Sequence, residues 1–252
     1  MHEEIGRQLD RIEREHNVRV LHAVESGSRA WGFASPDSDW DVRFIYVHPR
    51  DCYLSIHDRR DVIEEMLPGD LDVSGWELRK ALRLFSRSNP PLMEWLHSPI
   101  VYRSDADFMG RLLDLVPIYC SPEKCSLHYL HMALGNFREY LKGDEVWLKK
   151  YLYALRPVLA CLWIERRGAW VPMEFQTLVD GVVDDAEVRS AIEGLLIQKM
   201  AAKELDRGPA IPVISQFLER ELIRLEAAKA EPLPHPDAGP LNDLFRSIVD
   251  RV

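Results

Sequence analysis

The stretch Ser26–Val42, SGSRAWGFASPDSDWDV, decides how this chain is read. It joins two apolar, β-branched runs, VRVLHAVES before it and WDVRFIYVH after it, and both runs read as strands. A connection between strands needs turn residues. It has no need of two carboxylates, Asp39 and Asp41, one residue apart at a strand entrance. Side chains alternate along a strand, so Asp39 and Asp41 point one way and Trp40 and Val42 the other. Like charges at that range repel unless something positive sits between them. A hard divalent cation is the economical answer, since magnesium binds through one or two carboxylates plus substrate phosphates.

Other residues extend the pattern. Asp72, in DLDVSG, supplies a third carboxylate if its strand pairs beside the first two, and Asp70 competes for that place. Three acidic groups on adjacent strands suit two metal ions and an in-line phosphoryl displacement. Gly27 allows close backbone approach to a phosphate, and the Ser28 hydroxyl with the following amides can hold its oxygens. A short helix opening at Arg29 would turn its N-terminus toward the same anion, with Arg29 as a further ligand. Each fragment alone is ordinary turn chemistry. The ordered combination of strand, Gly-Ser, ten-residue gap, Asp-Trp-Asp and strand is narrower.

Composition sets the frame. The chain has 252 residues, 46% hydrophobic and 29% charged, as in a globular protein of one large or two modest domains. No apolar run approaches roughly eighteen residues, so no membrane span is expected. The N-terminal MHEEIGRQLDRIEREH is charged and helix-patterned, which makes the cytoplasm the expected location. Four scattered cysteines do not suggest a disulfide framework. In CSPEKCSLHYLH, Cys120, Cys125, His128 and His131 are zinc-ligand types, but their spacing fits no standard zinc pattern. A net charge of −9 argues against a broad basic surface for nucleic acid and leaves room for a local basic cleft.

Periodicity predicts a helix over Glu3–Glu15, strands flanking the opening stretch, and two more in DVIEEML and DLDVSGWE, separated by Pro68-Gly69. Helices follow at Glu77–Arg87 and Pro91–His97. Beyond residue 118 helical patterns dominate: Pro122–Leu141, Glu145–Arg167, Asp185–Leu205 and Ile214–Lys229. The expected fold is α+β: a small mixed β-sheet domain with flanking helices over 1–118, then an all-helical domain over 119–230. A Pro-rich linker and terminal helix complete it over 231–252. In WLKKYLYALRP, Lys149, Tyr153 and Arg156 fall at i, i+4 and i+7, one helical face suited to a triphosphate.

With these residues in view, SGSRAWGFASPDSDWDV resembles the signature of the DNA polymerase beta-like nucleotidyltransferase superfamily. Through DVSGWELRKALRLFSRSNPPLMEWLHSPIVY and WLKKYLYALRPVLACLWI the chain is similar to the nucleotidyltransferases of RNA repair pathways, some of them associated with RNA ligases. The resemblance implies a nucleotidyltransferase domain that moves a nucleoside monophosphate from ATP or another NTP to an acceptor hydroxyl, releasing pyrophosphate. It implies that Gly27 and Ser28 hold the triphosphate and that Asp39 and Asp41 bind two magnesium ions, or manganese in their place. Asp72 would be the third carboxylate, as base or metal ligand. An RNA 3′ end as acceptor and an RNA ligase as partner are what the narrower likeness suggests; the residues equally allow a protein hydroxyl. A non-catalytic nucleotide-binding or antitoxin-like protein is the competing reading, against which a repelling carboxylate pair argues. A kinase-like phosphotransferase is disfavoured because GxxxxGK[ST] is absent.

Overall fold

The computed structural model describes residues 1–201, 207–228 and 236–252. Ile5, Leu9 and Ile12 repeat at helical spacing and bury one stripe of α1 (His2–His16). Asn17, in the left-handed region at φ 50°, ends that helix and turns the chain into β1 (Arg19–Glu25). The motif stretch follows as α2 (Gly27–Ala30), a loop, and β2 (Trp40–Val47). After α3 (Arg50–Tyr53) come β3 (Val62–Leu67) and β4 (Leu71–Glu77). The reversal between β3 and β4 uses Gly69 and Asp70, at φ 82° and 55°.

Glu77 closes β4 and caps α4 (Leu78–Phe85), its carboxylate accepting from the Arg79 and Lys80 N–H groups. Asn89 does the same for α5 (Pro90–Leu96), which carries proline at its start. Then come β5 (Val101–Ser104), α6 (Ala106–Asp114) and α7 (Val116–Tyr119). The sheet order is β3-β4-β2-β1-β5. β2 and β4 pair in parallel, while β1 with β2, β1 with β5 and β3 with β4 are antiparallel. The α1 stripe packs on one face, against Val20, Ala23, Val42, Phe44 and Val73. By alternation, Asp41, Arg43 and Asp72 belong to the other face.

A second set of elements is mainly helical: α8 (Pro122–Tyr140), β6 (Glu145–Trp147), α9 (Leu148–Arg167), α10 (Phe175–Val182), α11 (Ala186–Ala201), β7 (Arg207–Pro209) and α12 (Pro212–Ala227). α9 packs against α8, α10 and α12. α13 (Gly239–Val249) ends the fold and packs against α4 and α6.

The chain is therefore α+β, and it forms two compact units that interleave along the sequence. The first holds Met1–Ala30, Asp39–Ser121 and the described residues from 236 onward; the second holds Trp31–Ser38 and the described residues between 122 and 228. A division at residues 118 and 230 misses both exchanges, because they depend on contacts distant in sequence. Trp31–Ser38 is anchored within the second unit: the Phe175 N–H donates to the Trp31 carbonyl at 2.9 Å, and the Lys199 ammonium donates to Ser35 Oγ at 3.1 Å. The expected helix over Asp185–Leu205 is seen as α11, and its last residues, 202–206, lie outside the described residues. So do Lys229, expected to end the preceding helix, and 231–235 of the Pro-rich linker. No helix among the described residues is long and apolar enough to cross a membrane.

Candidate active site

The geometry starts where β1 ends. The Ser26 N–H donates to the Asp41 carbonyl at 2.8 Å, bringing Gly27 against the start of β2. Gly27 adopts φ +60°, and a Cβ there would stand 2.2 Å from Asp41 Oδ2. The left-handed backbone favours glycine, and the close approach requires it. Ser28 follows, buried, inside α2. Arg29 reaches back across the loop: its Nε donates to the Asp39 carbonyl at 3.1 Å, and its guanidinium lies 3.9 Å from the centre of the Trp40 ring. One side chain thus ties the start of the loop to its end.

Parallel pairing of β2 with β4 places Asp41 directly beside Asp72. The positive group that such a pair needs is present in the chain itself. Arg43 Nη2 donates to Asp41 Oδ1 at 2.9 Å and to Asp72 Oδ2 at 2.7 Å. Its Nη1 donates to the carbonyls of Val42 and Asp72, each at 3.1 Å. Burial pushes the Asp41 carboxyl above its ordinary value; the Arg43 charge opposes that rise, and the charges of Asp72 and Asp39 add to it. Asp39 is exposed, just ahead of Trp40. Asp70, the rival to Asp72, is exposed in the β3–β4 reversal, where its carbonyl accepts from the Trp40 N–H at 2.8 Å.

Beneath the carboxylates lies a second buried acid. Glu25 is fully buried; its Oε1 accepts from the Asp41 N–H at 3.0 Å and its Oε2 from the Tyr102 hydroxyl at 2.6 Å. Burial raises its pKa, and those two hydrogen bonds hold the rise in check. Glu25 therefore fixes the backbone of Asp41 from below while Arg43 fixes its side chain from above.

The structure brings Gly27, Ser28, Arg29, Asp39, Asp41 and Asp72 into one neighbourhood of the first unit. Lys149, Tyr153 and Arg156 stand on α9 in the second. There Tyr153 is exposed and lies edge-on to Trp31, with ring centres 5.7 Å apart. Arg156 is only 2% exposed, donates to the Met173 carbonyl at 3.0 Å and lies over the Trp31 ring. The shared helical stripe turns inward at Arg156, where that guanidinium supports the unit's interior. Arg43 and Glu25 escaped the sequence reading. Arg43 carried a usable signal, since strand alternation places it on the face of Asp39 and Asp41.

Asp39, Asp41 and Asp72 offer only carboxylate oxygens, a donor set for a hard divalent cation rather than zinc. In the structure the Arg43 guanidinium stands between Asp41 and Asp72. Among the described residues no three His, Cys, Asp or Glu side chains converge as a formed metal cluster.

A model of the RNA repair pathway DNA polymerase beta family matches residues 1–247. The chain is 48% identical over 254 residues to "Uncharacterized protein YcgL" of Bacillus subtilis (strain 168), an alignment covering 100% of this chain and 98% of that protein. Among solved structures, a nucleotidyltransferase-like protein from Exiguobacterium sibiricum 255-15 aligns over 97% of this chain and 89% of its own, at 14% identity and a TM-score of 0.35.

Proposed function

The chain belongs to the RNA repair pathway DNA polymerase beta family, and on that premise we propose that it transfers a nucleoside monophosphate from an NTP to an acceptor hydroxyl. The observation that supports this most is the placement of Asp41 beside Asp72 in parallel register, with the Gly27 backbone held against Asp41. In the reaction, the acceptor oxygen forms a bond to the α-phosphorus. The bond from that phosphorus to the bridging oxygen breaks, pyrophosphate leaves, and the hydroxyl proton passes to a carboxylate, for which Asp72 is the candidate.

The roles follow from position. Gly27 and Ser28 bring backbone amides and a hydroxyl to the triphosphate, and Arg29 adds positive charge at the loop. Asp39, Asp41 and Asp72 would hold two magnesium or manganese ions, which when bound neutralise the triphosphate and acidify the attacking hydroxyl. Arg43 keeps Asp41 and Asp72 together, so the carboxylates are organised before substrate arrives. The acceptor we favour is an RNA 3′ end, with an RNA ligase as functional partner and the cytoplasm as the setting. The reading rests on first-unit residues alone.

The test is incubation of the purified protein with α-labelled NTPs, magnesium and short RNAs, beside an Asp39→Ala/Asp41→Ala control. Label on RNA and released pyrophosphate, both absent in the control, are expected. Label on protein would keep the chemistry and replace the acceptor. Nucleotide binding with no transfer to RNA or protein would favour a non-catalytic binding protein.

A further inference from the structure

The carboxylates occupy one end of the sheet. Glu77 stands at the other end of β4, five residues beyond Asp72, or roughly 16 Å at the usual strand rise. At that far end two cavities share a wall made by Arg79 and Arg83, one turn apart on α4. The larger, of about 550 Å³, is lined by Leu82, Tyr119, Leu241 and Phe245 beside Arg79, Arg83 and Arg246. The smaller, of about 250 Å³, is polar and includes His48, Arg59 and Lys80.

The ion pairs there leave a positive balance. Lys80 is paired with Asp61 at 3.0 Å and Arg60 with Glu64 at 2.6 Å. The Glu77 carboxylate accepts from the Tyr53 hydroxyl and from the first N–H groups of α4. Among the described residues Arg59, Arg79 and Arg83 have no carboxylate partner, and Asp58 is the one further acid in the lining. Arg79 is instead held over the rings of Tyr53 and Phe245, at 5.2 and 5.3 Å. His48, at the end of β2, lines the polar cavity, is 8% exposed, and has no hydrogen-bond partner at either ring nitrogen among the described residues.

Arginine forks match phosphate oxygens two at a time, and an apolar chamber with aromatic walls accepts a planar base. A simple anion would use the polar cavity alone. The adjoining chamber, which adds the Tyr119 and Phe245 rings to the shared arginine wall, suits a ring joined to the anion. We infer that the far end of the sheet is a second nucleotide site. Arg59, Arg79 and Arg83 take the phosphate, while Tyr119, Leu241 and Phe245 take the base. The nucleotide is either free or a unit of an RNA strand.

The experiment measures binding of AMP by calorimetry, and of a fluorescein-labelled, 5′-phosphorylated RNA oligonucleotide by anisotropy, on the full chain in EDTA. Three proteins are compared: wild type, Asp41→Asn/Asp72→Asn, and Arg59→Glu/Arg83→Glu. Both reversed arginines are exposed, and matching thermal midpoints check that the fold is kept. Arg83→Gln, which keeps much of the side-chain length, serves as a second variant if they differ. Binding should persist in the carboxylate variant and weaken by about tenfold or more in the arginine variants. Binding of AMP identifies a free nucleotide as the source; binding of the oligonucleotide alone identifies RNA. Absence of binding by both probes, or arginine variants that bind like wild type, would overturn the assignment. Because the carboxylate variant lacks the proposed chemistry, the result stands apart from whether nucleotidyl transfer occurs.

Discussion

Replacing Gly27 with alanine separates backbone strain from damage to the site. At φ +60° an L-residue meets a left-handed penalty of about 1–2 kcal/mol. Alanine also puts a carbon 2.2 Å from Asp41 Oδ2. A close C···O contact is about 3.3 Å, so that carboxylate must retreat by about 1 Å. Asp41 Oδ1 is held by Arg43, so the displacement disturbs both carboxylates that the guanidinium bridges. Misplacement by about 1 Å typically costs about a hundredfold in rate. Gly69→Ala supplies the control, because Gly69 has φ +82° and nothing within 4 Å of a built Cβ. Urea unfolding and pyrophosphate release would be measured on both variants. Both variants should lose stability, Gly27→Ala the more because of the added clash, with activity lost only in Gly27→Ala. If Gly27→Ala transfers nucleotide as well as Gly69→Ala does, the argument for a close Gly27–Asp41 approach is refuted.

Three further outcomes follow from the same geometry. Arg43→Met removes the cation between Asp41 and Asp72, so the metal-free protein should lose about 1–3 kcal/mol, and magnesium should raise its melting temperature more than that of wild type; equal magnesium responses would count against the bridge. Burial lifts the Glu25 pKa above 4.5, so the folded state keeps a proton that the unfolded chain has released. That contribution is present at low pH and declines as pH rises from 4.5 through the raised value. Glu25→Gln should therefore gain stability relative to wild type between pH 4 and pH 8 in urea titrations, and a constant difference would contradict it. Gly75→Ala places a carbon 2.2 Å from the Phe44 ring and should destabilise by about 1–3 kcal/mol; an unchanged unfolding midpoint would show that the ring moves freely.

Much of the first unit was legible because its signals are local. Period-two runs bounded by Gly, Pro and Ser marked β1 to β4, and Gly27, Asp39 and Asp41 sat at the junctions. Asp72 was legible as a candidate only, since choosing it over Asp70 requires the parallel register of β4 with β2, a pairing of residues far apart in sequence. β5 is four residues long, and its pattern is too brief to stand out. Glu25 ends an apolar strand and gave one hint of burial, but its bond to Tyr102 spans a separation no local pattern reports. Arg156 shows the reverse failure: helical spacing grouped it correctly with Lys149 and Tyr153, while packing against Trp31 and Met173 decided what it does.

The interleaving of the two units bears on biosynthesis. α4 and α6 are made early, yet the helix that packs on them, α13, leaves the ribosome after every other element described. During translation the first unit must wait, with that surface uncovered, until the second has been made in full. A premature stop after residue 228 would therefore strip the sheet unit rather than the helical one.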